Sequence, residues 1–155
     1  MAYLFSVDSF GYITDRLKVR LTISLAYYSL EISTMRIIDL DAEFLTDAKD
    51  IENRQTFKIC KTLDGAQGLI MQCPGCAKGK PVVEEDGERF VIGVHSIICW
   101  FSNPKNAPKV PETMTPLPGR WEVSGDSLDN LTLNPSVWIK DGCGWHGWIK
   151  NGDAE

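Results

Sequence analysis

Hydrophobic and polar positions change rhythm along this chain, and most of the rhythm is that of strands. Over residues 18–32 the pattern alternates in part, with Val19, Leu21, Ile23 and Leu25 on one side, which predicts a strand. Residues 39–45 (DLDAEFL) predict another. The charged stretch 47–59 predicts a short helix or a loop. Residues 67–72 predict a strand that ends at Cys73, and residues 77–89 a polar loop or hairpin with Asp86-Gly87 as its turn. Residues 90–101 (FVIGVHSIICWF) are the most apolar run, rich in β-branched and aromatic side chains, and predict one central strand. Five prolines between Ser102 and Arg120 exclude a helix or a central ladder strand there. Extended structure resumes at 121–125, continues at 131–139 with an Asn134-Pro135 interruption, and ends in a short strand at 147–152. No internal repeat or low-complexity tract is evident at this level.

Composition narrows the class. The 155 residues are 43% hydrophobic, enough for one domain with a real core. The net charge of −5 does not favour a nucleic-acid partner. No apolar run reaches the ~18 residues of a membrane span, and the first residues lack the charged and apolar regions of a signal peptide. Five cysteines, an odd number with two in C-x-x-C, fit a reducing cytoplasm and metal ligation better than disulfides.

Two half-sites carry the chemistry: Cys73-Pro74-Gly75-Cys76 and Cys143-Gly144-Trp145-His146. Each places two soft donors three positions apart in a glycine-containing turn that lets backbone wrap an ion. Zn²⁺ takes thiolate and imidazole in a closed tetrahedron, and structural sites are commonly assembled from two such halves. The expected ligand set is therefore Cys73, Cys76, Cys143 and His146, holding one Zn²⁺. Four protein donors make a structural site, whereas a catalytic zinc keeps a position open for water. The implied fold is mainly β (or α+β), a small antiparallel sheet with two zinc-knuckle turns, zinc-ribbon-like.

Other residues admit two readings. His95 and Cys99 lie four apart in the apolar run and share a strand face. His95 is either a hydrogen-bonded core histidine, the reading we adopt, or a group that replaces one of the four ligands or acts beside the metal as a base. Cys99 reads as a small core hydrophobe and Cys60 as structural. All five tryptophans fall between Trp100 and Trp148, as core filling or as a recognition surface, with Trp145 the best candidate for exposure. Glu84, Glu85 and Asp141 are available carboxylates, but no H-E-x-x-H type motif selects one.

Several stretches together resemble a family of small tailed-phage and prophage proteins with no assigned activity. They are M-R-I-I-D-L-D-A-E-F-L from Met35, C-P-G-C from Cys73, G-V-H-S-I-I-C-W-F from Gly93, P-G-R-W from Pro118, S-G-D-S-L-D-N-L-T-L-N-P-S-V from Ser124 and G-C-G-W-H-G-W-I-K-N-G-D from Gly142. The resemblance spans residues 35–155. The chain is also distantly similar to bacterial domains that pair a Cys-rich turn with a C-x-x-H turn, some suggested to be metal-dependent peptidases near ubiquitin-like operons. Residues 1–34 lie outside the resemblance. Met35 reads as the natural start and 35–155 as a single zinc-binding domain, with a genuine arm over 1–34 as the alternative. The leading functional expectation is a zinc-stabilised phage accessory protein that binds a protein partner in the cytoplasm, without membrane attachment. The runner-up is a zinc-dependent, peptidase-like hydrolase with His95 near the metal.

Overall fold

The computed structural model describes residues 34–155. The expectations for residues 1–34, apart from Thr34, lie outside the described residues. The described chain is mainly β, as the alternation predicts.

A short strand β1 (Met35–Arg36) runs into a 3-10 turn at Ile37–Asp39. Then come β2 (Glu43–Ile51), β3 (Arg54–Cys60), β4 (Gly68–Gln72), a one-turn helix α1 (Pro74–Ala77), β5 (Val82–Glu85), β6 (Glu88–Val91) and β7 (Ser96–Phe101). A long crossover leads to β8 (Arg120–Ser124), a 3-10 turn at Leu128–Asn130, β9 (Thr132–Asn134), β10 (Val137–Trp138), β11 (His146–Gly147), β12 (Ile149–Lys150) and β13 (Asp153–Ala154). One six-stranded sheet in the order β3-β2-β4-β7-β8-β9 forms the body. Its pairs are antiparallel except β7 with β8, which is parallel. Small sheets β5-β6, β10-β11 and β1-β13-β12 complete the fold. Among the described residues no helix is long and apolar enough to cross a membrane.

The centre of the large sheet is buried on both faces. Phe44, Leu69, Phe101 and Leu133 belong to the larger apolar cluster, while Leu45 and Trp100 join Val110 and Met114 in a second. Neighbours along a strand point to opposite faces, so a run such as Cys99-Trp100-Phe101 must be apolar throughout. The second cluster is roofed by the proline-rich segment, which serves as the crossover that a parallel pair requires. Prolines donate no ladder hydrogen bonds, and side chains hold this segment instead. Trp100 Nε1 donates to the Thr115 carbonyl at 2.7 Å. The Arg120 guanidinium donates to the carbonyls of Pro111, Met114, Pro116 and Gly119. Buried Gln67 donates through Nε2 to the Pro108 carbonyl and accepts the Ala48 N–H, each at 2.9 Å.

Two expected elements differ. Residues 47–59 are neither helix nor loop but the end of β2 and most of β3, joined by a tight turn with positive φ at Glu52 and Asn53. The exposed outer strand carries charges where a buried strand would alternate, which hides its period. Residues 90–101 are not one strand. The chain leaves β6 at Val91, turns through Ile92 and Gly93 (φ +73°), and re-enters the sheet only at Ser96. The glycine in an otherwise strand-like run marks the break. His95 therefore sits in the connection just before β7 begins, and this decides where it points.

Replacing Gln67 by Ala leaves the Ala48 N–H and the Pro108 carbonyl without their partner. We expect a loss of about 2–4 kcal/mol, read from the urea midpoint at unchanged m-value.

Candidate functional site

β4, an interior strand, delivers Cys73 at its C-terminal end, where it becomes the residue before the first turn of α1. Pro74 begins that turn, its fixed φ suited to the first helical position. The turn then brings Cys76 back beside Cys73. The Cys73 N–H donates to the His95 carbonyl at 2.8 Å, tying the C-P-G-C turn to the segment that enters β7. From the far end of the chain, the connection between β10 and β11 brings in Cys143, flanked by Gly142 (φ +127°) and Gly144 (φ +73°). The Ile139 N–H donates to the Trp145 carbonyl at 2.8 Å and closes this loop.

The donor atoms of Cys73, Cys76, His95 and Cys143 all lie within 4.8 Å of one another, and these four residues could hold a metal ion. The sulfurs of Cys73 and Cys143 are 3.6 Å apart. A tetrahedron with metal–sulfur bonds of about 2.3 Å has sulfurs about 3.8 Å apart, so the spacing fits. Three thiols and an imidazole are also a donor set that zinc accepts. The thiols differ in their surroundings. Burial pushes the Cys73 thiol up to about 12, while the Trp145 N–H and then the His95 side chain bring Cys143, at the rim, down to about 7.

Of the four expected ligands, Cys73, Cys76 and Cys143 come together and His146 does not join them. His95 stands in the fourth place. Two structural facts account for the exchange. The break at Ile92–Gly93 takes His95 out of the strand and into the segment before β7, beside the three cysteines. Beyond Cys143 the chain straightens into β11, where the register Trp138↔His146 turns the imidazole away along the outer face. No carboxylate belongs to the cluster among the described residues, so Glu84, Glu85 and Asp141 stay outside it. Cys99 is buried in the core as expected, with its thiol pushed up to about 12 by that burial. Trp145 is half-buried rather than exposed. It packs against both Gly75 and Gly147, and a Cβ at either glycine would run into its ring.

His146 has its own partner. Its Nε2 lies 2.9 Å from the Ser136 Oγ. Ser136 directly precedes β10, two residues before Trp138, and so shares Trp138's face. Trp138 pairs across the ladder with His146, which makes Ser136 and His146 diagonal neighbours on one face. The indole of Trp138 also lies against the imidazole, ring centroids 5.6 Å apart at 34°. The Ser136 carbonyl is held from below by Trp121 Nε1 at 3.3 Å. A nucleophile hydroxyl within hydrogen-bond reach of an imidazole is the core of nucleophilic acyl transfer. Sequence reasoning missed Ser136 because no G-x-S-x-G surrounds it and ten residues separate it from its partner. Only the pairing of β10 with β11 joins them.

The family described as Bacterial ubiquitination-like system serine protease (BubE) matches residues 107–155, about a third of the chain. That stretch contains Ser136, Cys143 and His146 but not Cys73, Cys76 or His95. No curated protein and no solved structure matches the chain.

The two histidines can be told apart by metal content. Elemental analysis should find about one metal ion per chain in the wild type and in His146→Ala, and a marked loss in His95→Ala and Cys143→Ala. Loss of metal in His146→Ala with retention in His95→Ala would restore His146 as the ligand.

Proposed function

We propose that this protein is a zinc-stabilised serine hydrolase of the peptidase type, with Ser136 as nucleophile and His146 as general base. The single observation that carries this reading is the 2.9 Å contact between Ser136 Oγ and His146 Nε2 on an open face. The match of this same stretch to a serine protease family supports it.

The chemistry follows from the pair. With Nε2 as acceptor, Nδ1 carries the imidazole hydrogen, a tautomer assigned from this role. Ser136 Oγ attacks a substrate carbonyl carbon while its proton passes to His146 Nε2. The carbon–nitrogen bond then breaks, and His146 returns the proton to the departing amine. Water adds to the resulting ester, its proton again taken by His146 and handed back to Ser136 Oγ as the acid product leaves. Such a base contributes on the order of 10²–10⁴ in rate.

Zinc at Cys73, Cys76, His95 and Cys143 would have four protein donors, the closed coordination of a structural site. Its role would be to hold the loop that carries Cys143, three residues before the general base, and to contribute folding energy, on the order of 10 kcal/mol in small metal domains. A set of reduced thiols suits the cytoplasm. A zinc hydrolase with His95 as base is not favoured by this arrangement, since His95 would be spent as a ligand. A non-enzymatic module that binds a protein partner is the second reading, favoured by the exposed indoles of Trp138 and Trp148.

A fluorophosphonate probe decides between the two. Intact and peptide mass spectrometry should find one adduct, on Ser136, in the wild type and none in Ser136→Ala. His146→Ala should slow labelling by about 10²–10⁴-fold while keeping its metal. A folded, metal-loaded wild type that takes no label, or takes it elsewhere, rules out the hydrolase reading and leaves the binding module.

A further inference from the structure

The last strands contain a short repetition that the hydrophobic pattern conceals. Ser136-Val137-Trp138-Ile139-Lys140-Asp141-Gly142 and His146-Gly147-Trp148-Ile149-Lys150-Asn151-Gly152 share W-I-K-[D/N]-G at a spacing of ten. Each copy places one member of the serine–histidine pair two residues before its tryptophan. The two copies are also alike in burial. Val137, Gly147 and Ile149 are buried and Ile139 is half-buried, whereas Trp138, Lys140, His146, Trp148 and Lys150 are exposed. With a period of two, Ser136 and Trp138 share one face and His146, paired with Trp138, continues it on β11; Trp148 follows at the same parity just beyond β11, Lys150 lies on β12 of the adjoining small sheet, and Lys140 sits in the turn after β10.

The two tryptophans on this face differ from the other three. Trp138 is 56% exposed and Trp148 39%, while Trp100 and Trp121 are buried and Trp145 fills the space between two glycines. The core does not need them, since Val137 and Ile149 already supply the inward contacts of these strands. Lys140 reaches over the Trp138 ring at 4.9 Å and Lys150 over Trp148 at 4.5 Å. Each indole is thus steadied by the lysine of its own copy. A single exposed apolar side chain is ordinary, but two indoles on the same face as a nucleophile and its base form a bounded platform. Indoles present large, rigid apolar area at small entropic cost.

We propose that Trp138 and Trp148 are the substrate-binding walls of the Ser136–His146 site, and that its substrate is an extended polypeptide with a bulky apolar side chain beside the scissile bond. The proposal rests on the hydrolase reading given above. The tryptophans act by holding such a side chain, so that the adjoining carbonyl is presented to Ser136 Oγ. Because Trp138 also lies against His146, it is a positioning residue for the imidazole as well as a wall. Trp148 has no such second contact and is the cleaner test.

The test uses the full chain with its metal and two fluorogenic peptides that differ only in Phe or Ala beside the cleaved bond. Burying a large apolar side chain predicts that the wild type prefers the Phe peptide by about 10–100-fold in kcat/KM. Trp148→Ala should collapse this ratio to within about threefold, mainly through KM. Trp138→Phe should keep most of it, since an aromatic wall remains. A ratio near one in the wild type, or an unchanged ratio in Trp148→Ala, overturns the proposal. Failure of the catalytic reading is seen separately, as absence of fluorophosphonate label on wild-type Ser136. In that event calorimetric binding of the uncleaved Phe peptide to Ser136→Ala tests the walls alone. Binding weakened about tenfold by Trp148→Ala sustains them. No binding, or preference for an oligosaccharide over the peptide, overturns them.

Discussion

The convergence of Cys73, Cys76, His95 and Cys143 is the constraint on which the C-terminal third depends. The four strands from β10 to β13 are two residues each, and a two-residue ladder holds nothing by itself. They are held from outside. Cys143 reaches a cluster whose other donors lie just after β4, in α1 and just before β7. Trp145 wedges against Gly75 in the C-P-G-C turn and against Gly147 in β11. β13 pairs with β1, and the Ile37 N–H donates to the Gly152 carbonyl at 2.9 Å. A metal ion at the cluster would close a loop of some seventy residues, where a cross-link removes much entropy from the unfolded chain. The serine–histidine pair sits on the piece so held.

The large sheet supplies the rigid base. Burial on both faces holds the register of its central residues, since a one-residue shift would press each side chain into the cluster packed around its neighbour. Two buried glutamines inside it are paired through both the oxygen and the nitrogen of their amides. Gln72 donates to the Val91 carbonyl and accepts the Val91 N–H, fastening β6 to the end of β4 just before Cys73. Gln67 and Arg120 do the same for the proline-rich roof.

The separation of the Cys/His cluster from the serine–histidine contact follows from the strand register. Both Cys143 and His146 come from the same run G-C-G-W-H-G, and by spacing alone both qualify as ligands. Two left-handed glycines curl the first half around the donor cluster, while ladder pairing straightens the second half. One short segment thus serves two sites that face different ways. This also explains why only part of the donor set lies within the stretch matched by the serine protease family: the pair is local to the last strands, and its support is drawn from the middle of the chain.

Short-range chemistry made part of this protein legible before any folding was considered. The β character, the Asp86-Gly87 hairpin, the strand that ends at Cys73, the absence of helix and ladder strand from the proline-rich segment and three of the four clustered donors could all be read from the residues. Each depends on period, on turn residues or on donors three apart, which are local quantities. Folding decided the rest. His95 looked like mid-strand because apolar content runs on through 90–101, and only the turn at Gly93 shows that its side chain leaves the sheet. β3 was hidden because an exposed outer strand needs no alternation. Ser136 carried no motif, since its partner is defined by strand pairing rather than by spacing. Which histidine meets the sulfurs and which meets the serine is a question of register and burial, and those belong to the folded chain as a whole.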